Sequence, residues 1–365
     1  MKECRVKDIC IKGSSNLKQK DVEGKKGLYP VYGASGIISS IDTYHQENEY
    51  IAIVKDGSGI GRVSFMPPKS SVIGTMQYIL PKEGYDIRYI GYCLQSLGLN
   101  KYKQGAAIPH IYFRDYGERN IVVSENINEQ RRIVSYLDSS FKLIDEIKNK
   151  ALKSLTEAKA LFQSALAEAM EPKEGTVMER IGDVFTTYAG GTPLKSQKDY
   201  YEGGEIPWLR SGEVCKKYIS ETELYITQKG MDNSSAKFYP ENTVVVAMYG
   251  ATAAQVGILK IKATSNQAVC GIIPHKDFIP EYVYYWFLFV QDDLASQAQG
   301  GAQPNISQIK IKNVLIPIIN KEEQKRIVSH LDKLSSKVRA IEEKYQKMVE
   351  ECDALKQAML RDVFE

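Results

Sequence analysis

The chain has 365 residues, 43% hydrophobic and 25% charged, and its 48 Lys and Arg stand against 45 Asp and Glu for a net charge of +3. That length suits two or three domains, and that balance of apolar and charged residues excludes disorder. The near-neutral charge permits a nucleic-acid partner without announcing one.

The N-terminus, MKECRVKDICIKG, has no apolar signal core. Six cysteines (Cys4, Cys10, Cys93, Cys215, Cys270, Cys352) lack any C-x-x-C pair, and four histidines (His45, His110, His275, His330) lie far from them. The expectation is a cytoplasmic, reducing setting with no metal site. Residues 1–125 are rich in Gly, Tyr and short β-like runs. Within them KDGSGIGRV at 55–63 hints at a phosphate- or adenosylmethionine-binding loop, but its spacing is not G-x-G-x-x-G and no clear βαβ unit surrounds it. A strained turn beside a DNA backbone is the preferred reading. MPPKS at 66–70 has Met66 and Lys69 where an amino-methyltransferase motif needs an acid or amide and an aromatic. No other catalytic motif is present, so the chain is expected to be non-catalytic by itself.

NEQRRIVSYLD at 128–138 then begins a long helix, predicted over 126–171 and stopped by Pro172 and Gly175. A second domain is expected over 172–319. Its most apolar run, YVYYWFLFV at 282–290, is too short to span a bilayer. EEQKRIVSHLD at 322–332 begins a second long helix, predicted over 320–365, and 126–166 aligns with 320–360 without a gap at an offset of 194. Asn126 with Glu129, and Asn320 with Glu323, have capping-box spacing. Beyond the caps a heptad seam is predicted through Ile327, Leu331, Leu334, Val338, Ile341, Tyr345, Met348, Cys352, Leu355 and Met359. In the first copy the same frame gives Ile133, Leu137, Ser140, Ile144, Ile147, Ala151, Ser154, Ala158, Leu161 and Ala165. Helices of roughly 40 residues, about 60 Å long, must lie along a partner helix. The other copy is the favoured partner, and a homodimeric coiled coil is the alternative.

The segments before the helices repeat at their edges. RVKDI at 5–9 resembles RIGDV at 180–184, and QGAAIPHI at 104–111 resembles QGGAQPNI at 299–306, while the centres differ in length and letters. The chain therefore reads as domain–helix–domain–helix, an α+β architecture in which an antiparallel helix pair relates two similar domains by a pseudo-two-fold axis. Duplex DNA has a two-fold backbone, and paired readers on such an axis meet two half-sites at a set separation. Groups suited to phosphate or base contact in the first domain are Lys25, Lys26, Tyr29, Tyr32, Lys55, Ser58, Arg62 and His110. In the second they are Thr192, Lys195, Lys198, Trp208, Arg210, Ser211, Tyr249, Gln303 and Asn305.

The paired helix starts, GGTPLKSQKDYYEGGEIPWLRSGEV at 190–214, SQAQGGAQPNISQIKIKNVLIPI at 296–318 and IVKDGSGIGRVSF at 53–65 resemble, over essentially the whole chain, the specificity subunits of type I restriction–modification enzymes. The resemblance implies two α/β target-recognition domains separated by two long antiparallel spacer helices that form an intramolecular coiled coil. Each domain would read half of a split, asymmetric sequence in double-stranded DNA, and the helices would fix the gap and dock two modification (methyltransferase) subunits. It implies no cofactor in this chain, with S-adenosylmethionine, ATP and Mg2+ belonging to the modification and restriction (translocase/nuclease) subunits. It also implies that Gln130, Arg132, Gln324 and Arg326, where the helices meet the domains, organise assembly, while Arg131 and Lys325 solvate the first turn. The competing readings are a self-contained methyltransferase or nuclease and a coiled-coil adaptor with no DNA specificity.

Overall fold

In the computed structural model, residues 2–105, 109–297 and 305–364 are described. Four helices organise them: α1 (Ile87–Ser96), α2 (Ile127–Met170), α3 (Pro280–Phe289) and α4 (Lys321–Phe364). The chain forms two units, one of Met1–Ser154 with Tyr345–Glu365 and one of Leu155–Lys344. Among the described residues no helix is long and apolar enough to cross a membrane.

The first unit holds strands β1 (Lys2–Arg5), β2 (Cys10–Ser14), β3 (Tyr29–Gly33), β4 (Gly36–Ile41), β5 (Tyr50–Val54), β6 (Val63–Met66), β7 (Ser71–Val72), β8 (Met76–Pro81) and β9 (Asn120–Val123). β1 pairs with β9, the four-stranded sheet runs β2-β8-β5-β6, and a smaller sheet runs β4-β3-β7. β5, YIAIV, is buried along its whole length. Side chains alternate across a strand, so Ile51 and Ile53 enter a core with Tyr89, Ile90 and Leu94 of α1. Tyr50, Ala52 and Val54 face a second cluster with Val72 and Met76. The Asp86 carboxylate caps α1 by accepting from the backbone N–H groups of Arg88 and Tyr89 at 2.9 and 3.1 Å.

The second unit holds β10 (Met178–Arg180), β11 (Thr187–Ala189), β12 (Ile206–Leu209), β13 (Tyr218–Ile219), β14 (Leu224–Ile226), β15 (Val244–Ala247), β16 (Val256–Leu259), β17 (Thr264–Ser265), β18 (Val269–Ile272) and β19 (Leu315–Pro317). β10 pairs with β19, the main sheet runs β11-β18-β15-β16-β13, and the small sheet runs β14-β12-β17. This is the first unit's pairing strand for strand, including a parallel pair in each small sheet, β3 with β7 and β12 with β17. β13 is an added edge strand, parallel to β16. The unmatched letters of the two centres therefore follow one topology. β15 again divides its side chains, Val244 and Val246 facing α3 and Val245 and Ala247 facing Leu209 and Tyr239. The apolar run at 282–290 is α3, started by Pro280 in its first turn and buried through Tyr282, Val283, Tyr285, Trp286 and Phe287.

In the first unit α2 and α4 run antiparallel: Lys148 meets Asp353 and Lys356 meets Asp145, each at 2.5 Å, so one residue number falls as the other rises. Lys356 also lies over the Phe141 ring at 5.2 Å. Leu360 and Phe364 of α4 complete the core around Tyr89. In the second unit Leu166 and Met170 of α2 do the same beside Ile327 and Leu331. Two of the ten positions in each predicted seam are displaced. Leu137, Ile144, Ala151, Ala158, Leu331, Val338 and Cys352 are buried as expected. Ile147, Leu161, Ile341 and Leu355 are instead 49, 59, 41 and 51% exposed. Their neighbours one residue on, Lys148, Phe162, Glu342 and Lys356, are half-buried in their place. A single step turns a helix by about 100°, and aromatic rings with the aliphatic stems of lysines fill those positions where shorter apolar residues do not.

This register separates two leucines of one helix. Leu331→Ala is expected to lower the unfolding free energy by about 2–5 kcal/mol. Leu355→Ala is expected to stay within about 0.5 kcal/mol. Urea unfolding of both variants beside the unaltered chain checks it, and equal losses would restore the seam predicted from sequence.

Candidate functional site

The glycine-rich segment after β5 is a turn: Gly57, Gly59 and Gly61 all adopt left-handed φ, at 83, 81 and 81°. A side chain on Gly61 would meet the Asn100 backbone nitrogen at 2.4 Å. The turn is clamped to the segment before β9. The Ile111 N–H donates to the Lys55 carbonyl at 2.9 Å, and His110 Nδ1 lies 2.6 Å from Asp56 Oδ1. The exposed Arg62 leaves the turn toward the β3–β4 hairpin and donates to the Ala34 carbonyl at 2.9 Å. Lys55, Ser58, Arg62 and His110 are thus brought into one cluster, with Tyr112 stacked near His110. Lys25, Lys26 and Tyr29 are not part of it. They sit at the far end of the hairpin, where Tyr29 packs edge-on against Tyr44 and the two lysines border a cavity with Asp21 and Asp42. Tyr32, on β3, packs half-buried against the Tyr50 and Val72 cluster.

The second unit repeats the clamp with different side chains. The Ile306 N–H donates to the Met248 carbonyl at 2.8 Å, and Tyr249 bridges Asn305 as Asp56 bridges His110. Gly250 supplies the left-handed turn. Tyr249 and Asn305 are exposed; Gln303 lies outside the described residues. Lys195 and Lys198 are exposed and Ser211 is half-buried. Thr192 pairs with Gln267. Arg210 is held between Glu213 and Glu223, so its charge is already matched by two carboxylates. Trp208 does not belong to this surface. It is 4% exposed and its indole N–H donates to the Gly191 carbonyl at 2.9 Å, which makes it a packing residue of the small sheet.

The helix starts correct a second expectation. Gln130 and Gln324 are 0% exposed and unavailable to a partner. The Gln130 carbonyl accepts from the Asp86 N–H at 2.7 Å while its amide donates to Ser124 and Gly84 at 2.8 and 3.2 Å. Gln324 accepts from the Ile279 N–H at 2.8 Å and donates to Ile319 and Asp277, both at 2.9 Å. A neutral amide supplies the one acceptor and two donors that match these three backbone groups. The capping asparagines act at backbone N–H groups as expected, Asn126 on Asn128 and Asn320 on Glu323. The glutamates face forward instead, Glu129 to Arg132 at 3.0 Å and Glu323 to Arg326 at 2.7 Å. Arg326 also borders a cavity of about 460 Å³ with Tyr282, Ile327 and His330.

Two residues that sequence reasoning passed over sit eight places further on. Asp138 accepts from Arg88 at 2.6 Å and from the Tyr92 hydroxyl, both on α1. Asp332 accepts from the Tyr285 hydroxyl at 2.5 Å and from Lys217, whose ammonium lies over the Tyr285 ring at 4.5 Å. Burial and then Asp138 push the Tyr92 hydroxyl up to about 12. Tyr285 is raised by burial and then Asp332. The signal was available, because each aspartate is the last letter of the repeated eleven.

The sequence profile of the type I restriction modification DNA specificity domain matches residues 1–157 and again 173–351. A type I restriction enzyme specificity subunit of Escherichia coli is 26% identical over 269 residues, 70% of this chain and 65% of that protein. One of Methanocaldococcus jannaschii is 32% identical over 165 residues, 44% of this chain and 38% of its own length. The matches thus span from two-fifths to just under two-thirds of these curated relatives. Among solved structures, a chain from a study of complex assembly and conformational transition of a type I R-M system superposes with TM-score 0.75 at 17% identity, covering 99% of this chain and 96% of that one. The HsdS subunit from Thermoanaerobacter tengcongensis gives TM-score 0.51 at 17% identity, covering 99% and 95%. These likenesses establish the fold.

Gln324→Glu leaves two carbonyls facing a carboxylate and is expected to cost about 1–3 kcal/mol or more in thermal or urea unfolding. A neutral result would mean that the latch holds nothing. Arg326, then Lys173, keep the Glu323 carboxyl down at about 2 from its ordinary 4.5. Because the folded value is depressed, this pair stabilises fully above about pH 4.5 and loses its contribution as pH falls toward 2. The stability difference between the unaltered chain and Glu323→Gln is expected to be present at pH 6 and to vanish near pH 2.

Proposed function

The chain belongs to the type I restriction modification DNA specificity family, and on that premise we propose that it is the specificity subunit of such a complex. Each unit reads one half of a bipartite, asymmetric DNA site, and the long helices set the gap and dock the methyltransferase subunits. The observation that carries this reading is the clamp found in both units, one backbone frame with different side chains. The first presents Lys55, Asp56, Arg62 and His110; the second presents Tyr249 and Asn305. Arg and Lys suit guanine edges and phosphates, Asn suits adenine, and Asp accepts from cytosine. Two frames with unlike side chains read two unlike half-sites.

Assembly is the second part of the proposal. Tyr136, Leu143 and Ile147 leave an apolar stripe on α2 that is 57, 61 and 49% exposed. Near it Arg132 is exposed, and in the other unit Arg326 borders its cavity. These surfaces suit modification subunits, and with Gln130 and Gln324 buried they replace those residues as docking candidates. The chain itself is non-catalytic in this reading. S-adenosylmethionine, ATP and Mg2+ belong to the partner subunits, and the complex works in the cytoplasm.

Sequencing methylated adenines in cells with and without the gene tests the function directly. A split motif that disappears on deletion is expected, and an unchanged methylome would sink the proposal. Within the motif, His110→Ala and Asn305→Ala are each expected to relax one half-site only. Each lost base contact is worth about 1–3 kcal/mol of discrimination.

A further inference from the structure

Each long helix is fastened to the α/β layer beside it at two heights. The lower point is the buried glutamine, Gln130 or Gln324, which ties the first turn to three backbone groups. The upper point is the aspartate eight residues on, Asp138 or Asp332, tied to a tyrosine of the adjacent short helix, Tyr92 of α1 or Tyr285 of α3. Eight residues separate the points by about 12 Å along the helix axis. One attachment would be a pivot; two at that separation also fix the angle. The cations at the upper point come from different places. Arg88 belongs to α1, whereas Lys217 stands just before the added strand β13, in the loop that follows Arg210 and Ser211.

We infer that the Asp138–Tyr92 and Asp332–Tyr285 attachments are positioning devices that set the angle of each recognition domain on its spacer helix, and so the gap length that the protein accepts. This rests on the reading of the chain as a DNA specificity subunit. The bases read are set elsewhere, on the clamped loops, so the two properties separate. The Lys217 link adds that the second domain's loop is tied directly to its helix, while in the first domain the link stops at α1.

The test uses the assembled modification complex and duplexes carrying its split site with the gap unchanged, one pair shorter and one pair longer. Asp138→Asn and Asp138→Ala, and the same pair at 332, suit it, because both aspartates are more than a third exposed and neither change empties a core. The off-gap to cognate-gap methylation ratio is expected to rise by about tenfold in the alanine variants, the scale of a lost charged hydrogen bond, with the asparagine variants between. Half-site base preferences are expected to stay unchanged. Thermal melting and assembly with the partner subunits establish that each variant is folded. An unchanged ratio in folded, assembled variants, or a shift in base preference, overturns the inference. An unaltered chain with no split-site specificity would instead remove the functional reading, and the positioning role with it.

Discussion

A 44-residue helix with one apolar edge cannot stand alone in water, and everything else in this chain follows from how α2 and α4 meet that need. Antiparallel packing places the last turns of α4 in the first unit and the last turns of α2 in the second. Leu360 and Phe364, and likewise Leu166 and Met170, are core residues there. Burying side chains of that size stabilises by about 1.5–3 kcal/mol each. The first core is therefore closed by a segment far from it in sequence, and the second by the helix that leads into it. The helices are structural parts of the domains they serve.

The polar contacts refine what burial begins. Apolar packing is non-directional, so it leaves the rotation of a helix against a sheet loosely fixed. Gln130 and Gln324, both fully buried, make three directed hydrogen bonds each to backbone groups. Their cost if mispaired is what gives them authority over geometry. Asp138 and Asp332 then act near the surface, where their removal changes orientation more than stability.

Function is laid over this repeated frame by divergence. The clamp between the turn after the central strand and the segment before the last strand is held by backbone hydrogen bonds, which are indifferent to side-chain identity. His110 and Asn305, or Asp56 and Tyr249, can therefore differ while the frame persists. The Gly57–Gly59–Gly61 turn is the same principle at its extreme, since left-handed backbone conformations bring a loop to a surface without side chains in the way.

The sequence by itself determined the repeat, the two long helices, their capping asparagines and the two-domain plan, because periodicity, caps and breakers act over a few residues and leave local marks. It also carried the family resemblance, which the matched profile establishes. Tertiary structure alone decided the rest. At two places on each helix the covered side chain turns on a one-residue step, so Ile147 and Leu355 lie exposed while Lys148 and Lys356 lie half-buried. Gln130 reads as a surface residue until the groups around it are known, and Trp208 as a DNA contact until the Gly191 carbonyl is found beside it. The shared strand order of the two centres was hidden because many sequences satisfy one pattern of backbone pairing. Local signals depend on neighbours in the chain, whereas burial and polar pairing depend on neighbours in space, and only the fold brings those together.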